Sequence, residues 1–172
     1  MDKNFKELLP AVKGFAFDID GVLSTQTVPM SADGIPMRTA NIKDGYVLQL
    51  AVKLGYKIAI ITGGKSDAIK KRYEGLGITD IYMGQATKMG AYTEWRDANA
   101  LNDNEILYMG DDIPDLPILK TVGVATCPSD ACTDVKEVCR YISPFKGGEC
   151  CVRDVVEQVL RSKGQWGHDH SW

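Results

Sequence analysis

Two aspartates separated by one residue, Asp18 and Asp20, sit in FDIDGVLS at the end of the apolar run from Gly14 to Ile19 (GFAFDI). In an extended segment, residues two apart point toward the same side, so the two carboxylates share one neighbourhood. Carboxylates that close repel unless a cation or a shared proton intervenes. Magnesium, a hard cation that takes few carboxylates and keeps waters and phosphate oxygens, fits such a cluster. Asp111, in GDDIPD after a second apolar run, is the candidate for an additional ligand. Taken singly, an aspartate at a strand end reads first as a helix cap or a turn residue. The combination is what points to chemistry.

These residues need elements to bring them together. Apolar runs alternating with helical stretches mark an α/β domain with a mostly parallel, doubly wound sheet covered on both faces. Strands are expected over Gly14 to Ile19, Lys57 to Thr62 and Glu105 to Gly110, with one short strand between Gly63 and Lys88. Helices are expected over Asp44 to Leu54, Ser66 to Leu76, Lys88 to Ala100 and Leu116 to Val122, with Gly55, Gly77 and Gly123 as stops. Further elements are expected at Ser129 to Glu137, Arg140 to Ile142 and Val152 to Lys163. Asp18 with Asp20, Thr62 with Gly63 and Gly64, and Asp111 with Asp112 each fall at the carboxyl end of an expected strand. In an open doubly wound sheet those ends share one crevice, where ligands bind. Ser24 to Asn41 interrupts the alternation, and its Asp33-Gly34 pair between apolar residues suggests a β-hairpin. Its Val28, Met30, Ile35 and Met37 need cover, either from the same domain or from a neighbouring subunit.

With Thr62 and Lys88 included, FDIDGVLS, ITGG, Lys88 and GDDIPD resemble, in order and spacing, the four motifs of the haloacid dehalogenase superfamily over about Gly14 to Pro117. The resemblance implies that Asp18 is the nucleophile that forms an aspartyl phosphate, and that Asp20 is the general acid and base. It further implies magnesium on Asp18, Asp111 and the backbone carbonyl of Asp20, with Thr62 and Lys88 holding the remaining phosphate oxygens. Asp112 and Asp115 would orient Lys88 and metal waters, and Asp115 also stands where the next helix needs a cap. A carboxylate nucleophile suits these roles, because covalent catalysis divides one hard displacement into two. The acid at position 20 argues for phosphate chemistry over dehalogenation.

Neither usual place for a cap domain has room for one, so the crevice stays open in a single protomer. The capless plan, the hairpin, ITGGKSDAIKKR and SPFKGGECCVRDVVEQVL resemble the 3-deoxy-D-manno-octulosonate 8-phosphate phosphatases across nearly the whole chain. That resemblance implies a sugar-acid phosphate substrate in lipopolysaccharide precursor synthesis and a homotetramer. In that assembly Lys146, Gly147, Gly148 and Glu149 would complete a neighbour's pocket. Phosphatases of the nine-carbon 2-keto-3-deoxy-nononate 9-phosphate share this framework but carry an acidic residue where this chain has Gly64, which favours the eight-carbon acid. Gly63, Gly64 and Arg72 are candidate substrate contacts; for Arg72, beside Lys70 and Lys71, a solvated helix face is equally open. A phospho-receiver switch would combine the same residue types, but there the lysine would not precede GDDIPD. A non-catalytic regulatory subunit is disfavoured because every motif residue is present.

At 172 residues the chain suits one domain, read over 1–163, and its formal charge of -3 leaves no basic excess for a nucleic-acid partner. No apolar stretch approaches a membrane span or a secretory signal, so a cytoplasmic protein without a membrane partner is expected. Five cysteines without a CxxC pair read as reduced thiols. The polar tail, 164–172, is expected to be mobile, and its His168 and His170 are weak candidates for a second metal site.

Overall fold

Each apolar run of the chain is short enough to cross one layer of a domain, and a capping residue or glycine separates it from the next helix. In the computed structural model, which describes residues 3–167, these runs pair into one sheet. The strands are β1 (Gly14–Phe17), β2 (Lys57–Ile61), β3 (Asp80–Tyr82), β4 (Ile106–Met109), β5 (Val124–Cys127) and β6 (Tyr141–Ile142). The helices are α1 (Phe5–Leu8), α2 (Ile42–Lys53), α3 (Asp67–Glu74), α4 (Met89–Ala98), α5 (Leu116–Leu119), α6 (Thr133–Val138) and α7 (Cys151–Ser162). The spatial order is β3-β2-β1-β4-β5-β6, and every pairing is parallel. From β1 the chain winds outward to β3, then crosses back and resumes at β4 on the other side of β1. That reversal opens a crevice beyond the carboxyl ends of β1 and β4, the position where such sheets bind ligands.

Side-chain alternation along the strands divides the core in two. Phe15 and Phe17 of β1 pack with Val47, Leu48 and Ala51 of α2 and with Val155, Val156 and Val159 of α7. Ala16, Ala59 and Ile61 face the other way, onto Tyr92 and Trp95 of α4 and Ile118 of α5. Each such side chain contributes roughly 1.5–3 kcal/mol by leaving water. The residues that follow, Asp18, Thr62 and Gly110 with Asp111, are therefore held at the end of a rigid sheet and not on a free loop.

Several expected elements differ in extent. α5 stops at Leu119 instead of Val122, because Thr121 and Val122 both donate to the Ile118 carbonyl and close a turn. The element expected from Ser129 is a helix that begins at Thr133, after a turn in which the Ala131 amide donates to the Pro128 carbonyl. β5 had no separate expectation; its short run VATC directly follows Gly123. Ser24 to Asn41 forms an irregular hairpin with a single antiparallel bridge, Met30 to Pro36, and no regular strands. Pro29 and Pro36 lack the amide donors that a longer ladder would need. Met30, Ile35 and Met37 remain 58, 57 and 49 % exposed, so the hairpin does not fold its apolar side onto its own domain. The start of the tail is packed: Trp166 lies against the core, with the Arg153 guanidinium 4.7 Å from its ring centre. His168 and His170 lie outside the described residues. The five cysteines are free thiols, and no helix among the described residues is long and apolar enough to cross a membrane.

Two contacts tie remote segments to the strand ends. Gly147 is buried against the carbonyl oxygen of Gly21, at a distance that leaves no space for a Cβ. Its amide donates to Asp130 Oδ1 at 3.0 Å, and the Gly148 amide donates to the Val22 carbonyl at 2.7 Å. Both glycines therefore brace their own chain's DIDG loop. Lys146 and Glu149 remain exposed. Further back, fully buried Asp44 of α2 accepts the Arg153 amide of α7 at 2.8 Å, while its Oδ2 has no hydrogen-bond partner among the described residues.

Gly147→Ala is expected to destabilise the fold by roughly 1–3 kcal/mol through forced overpacking, visible as a lower urea midpoint at unchanged slope. Burial pushes the Asp44 carboxyl up to about 7, against the hydrogen bond and charge of Arg153. Because the unfolded chain ionises first, stability is full at low pH and is lost as pH rises toward the folded value. Melting curves of metal-free protein between pH 5 and 8 should therefore show a shallower loss for Asp44→Asn, which keeps the acceptor for Arg153, than for the wild type.

Candidate active site

Asp18 follows β1 immediately, and its amide donates to the Met109 carbonyl of β4, which seats it at the point where the sheet reverses. Its Oδ1 accepts the Ile19 amide at 2.6 Å. Its Oδ2 lies 2.9 Å from the ammonium of Lys88, the residue that precedes α4. Lys88 also donates to Asp115 Oδ1 at 2.7 Å, and both side chains are almost fully buried. Asp115 in turn accepts from the Tyr108 hydroxyl at 2.6 Å and from the amides of Asp111 and Asp112 at 3.0 and 3.3 Å. Four donors saturate this carboxylate, which makes it the orienter of Lys88. Burial works against the Lys88 ammonium, but the charges of Asp18 and Asp115 outweigh it and hold its pKa above the ordinary value.

Asp18, Asp111 and Asp115 each present an oxygen within 4.8 Å of the other two. Burial, together with the Asp115 charge, raises Asp18 to about 6 despite Lys88. Burial, with the charges of Asp18 and Asp115, raises Asp111 to about 8. No ion pair to Asp111 exists among the described residues, and its carboxylate fills the space where a Cβ at Gly21 would sit. Two hard carboxylates pressed together without enough positive charge, at a place that glycine keeps clear, form a donor set suited to magnesium. Asp115 lies within the same cluster but has no free lone pair to offer, so Asp18 and Asp111 are the side chains that would hold the ion.

The crevice, about 720 Å³ in volume, is floored by Asp18, Asp111 and Lys88 and bordered by Asp20, Thr62 and Gly64. Thr62 is buried beyond β2, and its hydroxyl oxygen accepts the Gly64 amide at 3.2 Å. That leaves the hydroxyl proton available to an anion. Asp20 opens onto the crevice from a half-exposed position. Asp112 borders the crevice from an exposed position and caps the turn Ile113–Asp115 through the Ile113 amide, while Asp115 makes no cap bond to α5. Arg72 lies elsewhere: its guanidinium packs over Gly45 of α2, and it does not border the crevice. Gln26, Gln85 and Asp130 on the rim, and Arg38 beside Asp20, had no expectation attached. They lie outside any motif, and the one available hint to Arg38 was that Asp20 lacked a charge partner within FDIDGVLS.

No family model matches the chain. It is 32% identical over 148 residues to the 3-deoxy-D-manno-octulosonate 8-phosphate phosphatase KdsC of Escherichia coli K12, a match covering 86% of this chain and 79% of the relative. Among solved structures, a haloacid dehalogenase superfamily (subfamily III A) hydrolase from Legionella pneumophila superposes with a TM-score of 0.90 at 33% identity, over 94% of this chain and 88% of that one. The 3-deoxy-D-manno-octulosonate 8-phosphate phosphatase of Moraxella catarrhalis, solved with magnesium, phosphate and KDO, superposes with a TM-score of 0.87 at 30% identity, over 92% and 91% of the two chains. With one architecture and this level of identity over most of each partner's length, the chain belongs to the 3-deoxy-D-manno-octulosonate 8-phosphate phosphatase family of the haloacid dehalogenase superfamily.

Proposed function

We propose that the chain is a magnesium-dependent phosphatase that hydrolyses 3-deoxy-D-manno-octulosonate 8-phosphate to the free sugar acid and inorganic phosphate. The observation that carries this reading is the Asp18 carboxylate, clamped by Lys88 at 2.9 Å on the floor of the crevice beside an Asp111 that has no ion pair among the described residues. Magnesium held by Asp18, Asp111 and the Asp20 carbonyl would offset charge on the phosphoryl group.

The chain's own groups supply the remaining chemistry. Lys88 fixes one Asp18 oxygen and leaves the carboxylate aimed into the crevice, so that it attacks phosphorus in line. As the new bond to Asp18 forms, the bond from phosphorus to the sugar oxygen breaks and Asp20 gives that oxygen its proton. Asp20 then takes a proton from the water that attacks the aspartyl phosphate, which restores both residues. The Lys88 ammonium and the Thr62 hydroxyl hold the other phosphate oxygens.

The working unit in this reading is a homotetramer in the cytoplasm that serves lipopolysaccharide precursor synthesis. The support is physical. A crevice with no cap needs a lid, and the hairpin offers a continuous exposed apolar edge in Met30, Ile35 and Met37, with Ile42 at its base 82 % exposed. Lys146 and Glu149 are exposed and free to meet a neighbouring subunit.

Phosphate release with magnesium should be faster on the eight-carbon sugar-acid phosphate than on its nine-carbon analogue, and far faster than on hexose phosphates. Equal rates on all three would overturn the substrate assignment. Asp18→Asn and Asp20→Asn should each lower turnover by about 10²-fold or more with the melting temperature retained. Because Asp18 and Asp111 stand at about 6 and about 8 without a cation, magnesium must displace protons to bind. Its affinity is expected to rise with pH between about 6 and about 8 and then level, with proton release measurable by calorimetry in two buffers of different ionisation enthalpy. An affinity flat across that range would refute the arrangement.

A further inference from the structure

Asp20 is a motif carboxylate that the Lys88 network does not touch, and its partner comes from the hairpin. Arg38 donates from Nε to Asp20 Oδ1 at 2.8 Å and from Nη2 to Oδ2 at 3.1 Å. The side chain of Arg38 is only 9 % exposed, whereas that of Asp20 is 48 % exposed. Asp20 lines the crevice and Arg38 does not, so the guanidinium holds the carboxylate from behind. Its Nη2 fills the space that a Cβ at position 64 would need, and Gly64 thereby makes room for it. A two-point fork fixes the rotation of a carboxylate as well as its place, which a single lysine contact does not do.

We infer that Arg38 is the positioning residue of the general acid, and that Gly64 is the vacancy that lets it reach Asp20. The inference deepens the proposed phosphatase reading and rests on it. As the bond from phosphorus to the sugar oxygen breaks and the bond to Asp18 forms, the proton passes from Asp20 to that oxygen, and Arg38 decides whether Asp20 points at it. The second glycine of ITGG then acts through Arg38 and not through a direct substrate contact. An acidic residue at 64 would compete with Asp20 for the guanidinium, which makes this position a control on the acid as well as on the choice of sugar. Arg38 follows exposed Met37, so whatever covers the outer edge of the hairpin also steadies the group that holds Asp20.

The discriminating readout is the leaving group. An alkyl phosphate such as the sugar-acid phosphate needs a proton on its leaving oxygen, whereas p-nitrophenyl phosphate releases a stable phenolate without one. The values of kcat/KM report only steps through departure of that first alcohol, so the later attack of water does not enter. Arg38→Ala should lower kcat/KM for the sugar-acid phosphate by about 10²-fold and leave that for p-nitrophenyl phosphate nearly unchanged. Arg38→Lys should fall between, Gly64→Ala should show the same split, added guanidinium should restore part of the loss, and Arg38→Ala should cost nothing further in an Asp20→Asn background. Equal losses on both esters in Arg38→Lys and Gly64→Ala, or no loss on the alkyl ester, would overturn the role of Arg38. If the wild type ignores the sugar-acid phosphate but the split persists with glycerol 3-phosphate, the substrate reading fails and the positioning role stands.

Discussion

Crowded negative charge at one point of the sheet governs this molecule. Three carboxylates, Asp18, Asp111 and Asp115, come within 4.8 Å of one another, and the protein supplies a single buried ammonium among them. At that separation each pair of charges repels by on the order of 3 kcal/mol even at an effective dielectric of about 20. Lys88 satisfies Asp115 and one edge of Asp18, and Asp111 is left over. The shortfall is what draws in a divalent ion and, with it, a phosphate. A site with complete internal pairing would be more stable and would have no reason to bind either.

Holding that charge in place falls to the scaffold. Parallel strands buried on both faces end together, and the residues just beyond them inherit the rigidity of the sheet. The loops that carry Asp18 and Asp20 are then braced from outside the sheet. Gly147 presses on the Gly21 carbonyl, and the Gly148 amide caps Val22. Asp130 links the two edges of this brace: one carboxylate oxygen takes the Gly147 amide, and its backbone carbonyl takes the side-chain amide of Gln26 at 2.6 Å. Gln26 belongs to the hairpin segment, as Arg38 does. The hairpin is therefore anchored at two points on the rim of the crevice, while its apolar outer edge remains open.

This arrangement separates two kinds of carboxylate. Asp18 is buried and clamped, which suits the proposed nucleophile. Asp20 stays partly solvated, where it can exchange protons with water in the proposed acid-base role, and is held in place by a guanidinium brought in by the hairpin. The division follows from position along the strand. Asp18 is the first residue past β1 and shares its burial, while Asp20 is two residues further on and has left the sheet.

Much of this was legible from residues adjacent in the chain. Short continuous apolar runs marked β1, β2 and β4, and helical stretches closed by glycines marked α2 and α3. Polar residues placed just after the apolar runs gave Asp18, Thr62 and Asp111, and the order of the motifs gave Lys88. A strand pattern states where a side chain stands along the sheet, and parallel strands must end on the same side. What only the tertiary structure decided was which remote groups meet. Arg38 reaches Asp20 while Arg72 turns away to Gly45, and Asp112 caps a turn while Asp115 gathers Lys88, Tyr108 and two amides. In each pair the residue types are alike or adjacent, so local chemistry cannot separate them. The choice depends on rotamers and on open space left by glycines far away in sequence, and these exist only once the layers have packed.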